Sequence, residues 1–305
     1  MWELYRKNTR RSIMLIAGFV VIVLAVGYGI GILLGNAGAG PIGLGVAAVI
    51  AIVMTWLSYR NGDKVVLAVS RAHEVTHDQE PRLHNIVEGL AIAAGIPKPR
   101  VYVIEDPSPN AFATGRDPQH ASIAATRGLL EKMNRVELEG VIGHELSHVR
   151  NRDTLVMAIA ATLLGIVVLV SDWTLRAMFW SVGGRRRNGR DGGGDSGAAI
   201  FFLVGLALAI LMPIIAAIMQ ATISRSRESL ADVSGVQLTR YPPGLISALE
   251  KLRADQTVVH SASRATAALW IESPLQREQG FMGWLNRLFD THPPLEERIR
   301  VLKEL

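Results

Sequence analysis

The sequence of 305 residues contains no cysteine. That excludes thiolate metal ligands, disulfides and a cysteine nucleophile, so any metal centre must be built from His, Asp or Glu. Aromatic side chains are also scarce, at 6%, while 49% of the residues are hydrophobic and mean hydropathy is +0.26. An apolar chain poor in aromatics points towards the bilayer. The formal net charge of +5 raises nucleic acid as a partner. The basic residues instead gather beside apolar runs, where they face anionic lipid head groups. The lipid bilayer is therefore the expected partner, and nucleic acid is not.

Segments 13–34 and 41–57 are apolar enough and long enough to span a membrane, as are 155–175 and 199–220. Asp172 in the third run and Pro213 in the fourth are tolerable in a bundled helix. The first run follows Arg6, Lys7, Arg10 and Arg11, as a secretory signal would. Its apolar stretch outlasts a signal core, however, and no small-residue cleavage site is evident, so it reads as a retained helix.

The pattern H-E-x-x-H occurs twice, at His73–His77 and at His144–His148. On a helix, histidines four residues apart are separated by about 40° of arc and can share one metal ion. The Glu between them is then placed to take a proton from water at the ion. On a strand the same residues lie about 13 Å apart and cannot share an ion. The first copy follows Lys64-Val-Val-Leu-Ala-Val-Ser70, a β-leaning run, and precedes Pro81, which fits the opening turn of a helix with Leu83, Ile86, Val87, Leu90 and Ile92 as its stripe. His73 to His77 thus falls at a strand end or in a connector, as two surface histidines.

The second copy lies within residues 135–149, where Val136, Leu138, Val141, Ile142, Leu146 and Val149 recur at helical spacing. Asn134 reads as the N-cap, with Glu137 completing a capping box. A zinc centre of this kind needs a third protein ligand and keeps the fourth position for water. Glu228 and Asp232, at i and i+4 just beyond the fourth apolar run, are the candidates. One carboxylate can bind the metal while the other orients a ligand imidazole through its second nitrogen. Read alone, the pair also fits a solvated helix face beside Arg225 and Arg227.

Further along, residues 101–105, 111–114 and 122–126 read as strands, the last two joined by the polar turn 115–119. An exposed strand edge there would hold an extended peptide by main-chain hydrogen bonds.

The ordered set of segments resembles the HtpX-type membrane zinc metalloproteases, relatives of the CAAX prenyl-protein proteases. The resemblance covers nearly the whole chain. It rests on two N-terminal spans, Gly95-Ile-Pro-Lys-Pro, Pro109-Asn-Ala-Phe-Ala-Thr-Gly115, the helix of His144 to His148, Arg227-Glu-Ser-Leu-Ala-Asp232 and Thr291-His-Pro-Pro294. It implies a mostly α membrane protein with four transmembrane helices and a cytoplasmic α+β gluzincin domain carrying a small antiparallel sheet. By resemblance His144, His148 and Glu228 hold one zinc ion per chain and Glu145 is the general base, which leaves Asp232 as the carboxylate that stands behind a ligand. His292, in the family's His-Pro motif, becomes a candidate donor to the developing oxyanion. On its residues alone it equally fits a turn before a helix opened by Pro293 and Pro294. Asn110 is placed near substrate by resemblance, while its position after Pro109 also fits an Asx-turn. The first H-E-x-x-H has no counterpart among the family's motifs.

The ligands constrain topology. His148 precedes residue 155 by seven positions and Glu228 follows residue 220 by eight, so the third and fourth runs must form a hairpin returning to one side. Ten basic residues, from Arg6 to Arg227, flank that side, and loop 35–40 carries no charge, which makes the zinc side cytoplasmic. Loop 176–198 disagrees, with five arginines on the opposite side; its glycine-rich stretch reads as flexible. The expected layout is a two-helix anchor over 1–58 and a protease domain over 59–305, interrupted by the hairpin at about 155–220. The expected protein is a multi-pass inner or plasma membrane endopeptidase acting on unfolded or damaged membrane proteins. A processing protease for lipidated substrates and an inactive zinc-retaining scaffold are the competing readings. An intact Glu145 argues against the scaffold, because a purely structural site needs no base.

Overall fold

The computed structural model describes residues 2–35, 37–159, 161–162, 225–257, 259, 266, 269–272 and 293–305. The chain begins with helix α1, Trp2–Gly35, a short 3-10 turn at Ala37–Ala39, and helix α2, Gly40–Val69. Glycines let the two helices touch backbone to backbone: a Cβ at Gly43 would lie 2.2 Å from the Gly27 carbonyl oxygen, and one at Gly31 2.5 Å from that of Ala39. Small residues at the contact are the usual solution where lipid offers no hydrophobic drive between helices. Among the described residues α2 alone is long and apolar enough to cross a bilayer, with a mean hydropathy of 2.0, while α1 carries the shorter apolar run Ile16–Gly29.

The β-leaning run from Lys64 is not a strand, because α2 continues through it to Val69. Val65 and Val69 face outward and Val66 and Leu67 inward, a helical pattern. Extending a helix already nucleated over six turns costs less than starting a strand, and β-propensity is too context-dependent to oppose it.

The chain then forms β1, His73–Glu74; α3, Pro81–Ala94; β2, Arg100–Ile104; β3, Ala111–Thr114; and β4, Ser122–Thr126. Pro81 opens α3 as its sequence suggests, and Gly95 ends it in the left-handed conformation at φ 68°. Leu83, Ile86, Val87 and Leu90 are buried, but Ile92 is 76% exposed and Ala91 and Ala94 complete the inner face instead. The sheet has the order β1-β2-β4-β3 and is mixed rather than antiparallel. β3 and β4 form the expected hairpin, with Phe112 opposite Ala124, but β4 inserts beside β2 and runs parallel to it, with Val101 opposite Ile123.

Helices α4, Arg127–Lys132, and α5, Arg135–Arg150, follow, then α6, Arg225–Thr239; α7, Pro242–Ala254; and α8, Leu295–Lys303. The capping box of α5 is present: Glu137 N–H donates to Asn134 Oδ1 at 3.0 Å, and Asn134 N–H to Glu137 Oε2 at 2.8 Å. α5 lies at the centre of the domain and is buried from Gly140 to Val149, packed between the sheet, α3, α6 and α7. Two glycine contacts set its distance from its neighbours. A Cβ at Gly140 would sit 2.7 Å from Leu245 N of α7, and one at Gly235 of α6 would sit 2.8 Å from His144 N.

Residues 153–159 begin a further helix, and this is where the third apolar run starts. Its Ile159 packs with Phe19 of α1, and Gly62 of α2 faces Thr162. The N-terminal hairpin is thereby joined to the segment that leaves α5. The rest of the third run, the fourth run, loop 176–198 and His292 lie outside the described residues.

Candidate metal centre

His144 and His148 are one turn apart on α5, with ring centroids 4.8 Å apart and Nε2 atoms 3.2 Å apart. Glu228 enters from the first turns of α6. Its Oε2 lies 3.5 Å from His144 Nε2 and its Oε1 3.7 Å from His148 Nε2. The three groups are buried and present one ligand atom each within 4.8 Å of one another. Two imidazoles and a carboxylate converging at that spacing, away from solvent, are able to hold one metal ion. The close approach at Gly235 makes this reach geometrically accessible: with α6 pushed back by a methyl group, Glu228 and Asp232 would withdraw from α5 together.

Behind each imidazole stands a carboxylate, and behind each carboxylate a buried arginine. His144 Nδ1 is 2.8 Å from Asp232 Oδ1, and Arg298 of α8 holds Asp232 with both Nε, at 2.9 Å, and Nη2, at 2.7 Å. His148 Nδ1 is 3.2 Å from Asp153 Oδ2, and Arg227 Nε is 3.1 Å from Asp153 Oδ1. An Nδ1–H donated to a carboxylate fixes the tautomer that leaves the Nε2 lone pair for a metal. Arg298 Nη1 also donates to the Ile271 carbonyl at 3.0 Å, which ties residues 269–272 to the same cluster.

Electrostatics follow from this packing. Burial and the Arg298 guanidinium push the His144 imidazole down, but Asp232 and Glu228 outweigh them and raise it to about 9. Burial opposes the charge on Asp232, yet Arg298 and His144 hold it down at about 2. Arg298, although buried, is held fully protonated by Asp232. Glu145 is also buried and moves the other way: burial raises it, with Glu228 adding, against His144, His148 and the backbone N–H of Ala113. A carboxyl raised in this way is, once ionised, a stronger base than a free one.

Asn110 does not join this cluster. Its Nδ2 donates to the Glu272 carbonyl at 3.0 Å, and its Oδ1 accepts from Ala111 N–H at 3.0 Å. Ile271 N–H donates to the Ala111 carbonyl at 2.9 Å. The start of the outer edge of β3 is therefore covered by residues 270–272, where the strand pattern suggested an exposed edge. Phe112 and Trp270 clamp this arrangement edge to face, centroids 4.9 Å apart.

The first H-E-x-x-H is open to solvent. His73 is in β1 with Glu105 at 3.6 Å, and His77, beyond a turn, contacts Asn85 at 3.0 Å. Two participants in the second copy escaped sequence reasoning. Asp153 follows the left-handed turn at Arg152, φ 58°, whose only trace in the sequence is a short polar break after α5. Arg298 reads as one more cation on an amphipathic C-terminal helix. Arg227, counted as a flanking surface charge, is instead buried against Asp153.

A helix-borne pair of histidines, a glutamate from a second helix and a buried acid beside them are the parts of a metallopeptidase. Comparison with known proteins carries this to a family. The model of peptidase family M48 matches residues 77–305, and the chain belongs to that family. Proteins named protease HtpX homolog are similar over the full chain. The one from Thermoanaerobacter pseudethanolicus is 43% identical with 98% of its length covered, that from Caldanaerobacter subterraneus subsp. tengcongensis 44% with 98%, and that from Listeria monocytogenes serotype 4a 43% with 100%. The crystal structure of Ste24p from S. mikatae shares the fold, with a TM-score of 0.52 at 18% identity over 99% of this chain and 67% of that one. The chain is a membrane metalloendopeptidase.

Proposed function

We propose that this peptidase uses zinc to hydrolyse peptide bonds of misfolded or damaged membrane proteins at the cytoplasmic face of the cell membrane. The observation that carries the reading is a raised, buried Glu145 adjoining three convergent donors. His144, His148 and Glu228 would hold one zinc ion, and the buried N₂O donor set, with each imidazole fixed from behind, fits that metal. When bound, zinc supplies Lewis acidity, polarising a carbonyl and making water a stronger acid.

The protein's own residues do the rest. Glu145 takes the proton of the attacking water and returns it to the leaving amine. Asp232 and Asp153 hold the imidazoles in one tautomer. The family resemblance adds His292 as donor to the oxyanion and Asn110 beside the substrate. Supporting a membrane-bound substrate is the contact of α1 and α2 with the helix entered at 153, which couples the centre to the apolar hairpin. The basic flanks of the apolar runs favour the cytoplasmic side, and the layout of a 1–58 anchor with a 59–305 protease domain follows from the same argument.

The test is casein cleavage by the purified full-length protein in detergent, with and without 1,10-phenanthroline, followed by zinc restoration. Cleavage is expected to stop with the chelator and return with zinc. Cleavage that survives complete metal removal would overturn the proposal. Sealed vesicles of both orientations address the face: an unfolded membrane-protein substrate should be cut only from the side that carries residues 73–150.

A further inference from the structure

We infer that the cavity at the end of α2 is a binding site for the phosphate of an anionic phospholipid. It measures about 360 Å3 and lies between the last turns of α2, the start of β2 and the turn that joins β3 to β4. Arg60, Lys64, Lys98, Arg100 and Arg116 line it, against the single lining carboxylate Asp63. Part of this charge is answered: Asp63 pairs with Arg100 at 3.3 Å, Glu88 with Lys98 at 2.6 Å and Asp117 with Arg116 at 3.4 Å. Arg60 and Lys64, one turn apart on α2, take part in no ion pair among the described residues. Asn61 and Gln119 add amide donors to the same wall. Cations gathered in a concave wall repel one another and favour an anion, and arginine donors match the geometry of phosphate.

The surroundings select a lipid over a soluble phosphate. Val49, Ile52, Val53 and Trp56 are exposed on the turns of α2 just before Arg60, so an apolar track runs directly into the basic cavity. Trp56 and Tyr59, 57% and 50% exposed, are the residue types that settle at a membrane interface, and the Arg60 guanidinium lies 5.8 Å from the Trp56 ring centroid. From Leu57, where the apolar run ends, Arg60 and Lys64 lie about 5 and 10 Å further along the helix. The head-group layer is roughly 5–8 Å deep on each face, so the two cations bracket the depth of lipid phosphate. A basic pocket beside a spanning helix at this height is the arrangement that holds anionic head groups.

The experiment is native mass spectrometry of the full-length protein from micelles containing equal phosphatidylglycerol and phosphatidylcholine. The wild type is expected to retain phosphatidylglycerol preferentially, and the double variant R60Q/K64Q to lose roughly tenfold to thirtyfold of that affinity. R135Q, exposed at the start of α5, should stay within about twofold of wild type. Equal retention by R60Q/K64Q and wild type would overturn the site. Binding of inorganic phosphate or glycerol 3-phosphate as tight as the lipid would overturn the lipid assignment, as would preference for an acidic peptide. Should the double variant fail to fold, the wild type decides alone: an acyl-chain photoactivatable phosphatidylglycerol should label residues 49–64, and labelling spread evenly over α1 and α2 would overturn the inference.

Discussion

His73 to His77 and His144 to His148 have the same letters at the same spacing and opposite fates. The first copy straddles a two-residue strand and a turn, with its imidazoles about half exposed and engaged by Glu105 and Asn85. The second is carried on a helix buried on nearly every side, with Glu228 arriving from another helix and a carboxylate–arginine pair behind each ring. The difference lies in what surrounds the motif. Four-residue spacing brings two imidazoles together only on a helix, and a pair becomes a centre only when distant segments deliver a third donor and fix the tautomers.

Exchanging single residues between the two copies should break this contrast in graded fashion. Glu145→Gln is expected to lower the initial rate of casein cleavage by about 10²–10⁴-fold, whereas Glu74→Gln should leave it within about twofold. Comparable losses in both would show that the copies are not different in kind. His144→Ala should weaken zinc binding by at least about 100-fold, read by metal analysis after dialysis against a competing chelator, and His73→Ala should retain one zinc per chain.

The scaffolds of the two copies can be compared through glycines. Gly235→Ala inserts a Cβ 2.8 Å from His144 N and should destabilise the protein by about 1–3 kcal/mol. Gly89→Ala, on α3 beside the first copy, meets nothing within 4 Å and should stabilise it by about 0.4–1 kcal/mol. Thermal unfolding of the two variants in the same detergent measures both. An effect of similar size concerns pH. Burial pushes the Glu137 carboxyl up, but Lys251, Ser247 and the Asn134 N–H outweigh it and lower it below its ordinary 4.5. A depressed folded-state pKa contributes stability above about pH 4.5 that is lost as pH falls through the lower folded value. Glu137→Gln should therefore cost on the order of 1 kcal/mol at pH 7, since Lys251 is partly solvated, and the cost should shrink as pH falls below about 4.5. Glu105→Gln, beside His73 and well exposed, should show a weaker dependence.

Local rules carried much of the centre. The capping pair Asn134 and Glu137, the helical spacing of α5 and the i,i+4 pair Glu228 and Asp232 are contained within single segments, and each has its expected geometry. Strand positions were legible for the same reason. Strand order was not, because nothing in residues 100–126 states that β4 will lie beside β2. Lys64 to Val69 misled because residue preference there competes with a helix begun 24 residues earlier. Asp153 and Arg298 were hidden because their roles arise only when a left-handed turn and a C-terminal helix fold back onto α5.

The span from His144 to Arg298 is 154 residues, and it orders the making of the centre in time. A chain emerging from the ribosome presents its histidines first and its third donor much later. The guanidinium that clamps Asp232 arrives last of all, with α8. A chain that stops short of α8 therefore lacks the guanidinium that braces Asp232 beside His144. The described centre has all of its parts only once α8 has been made.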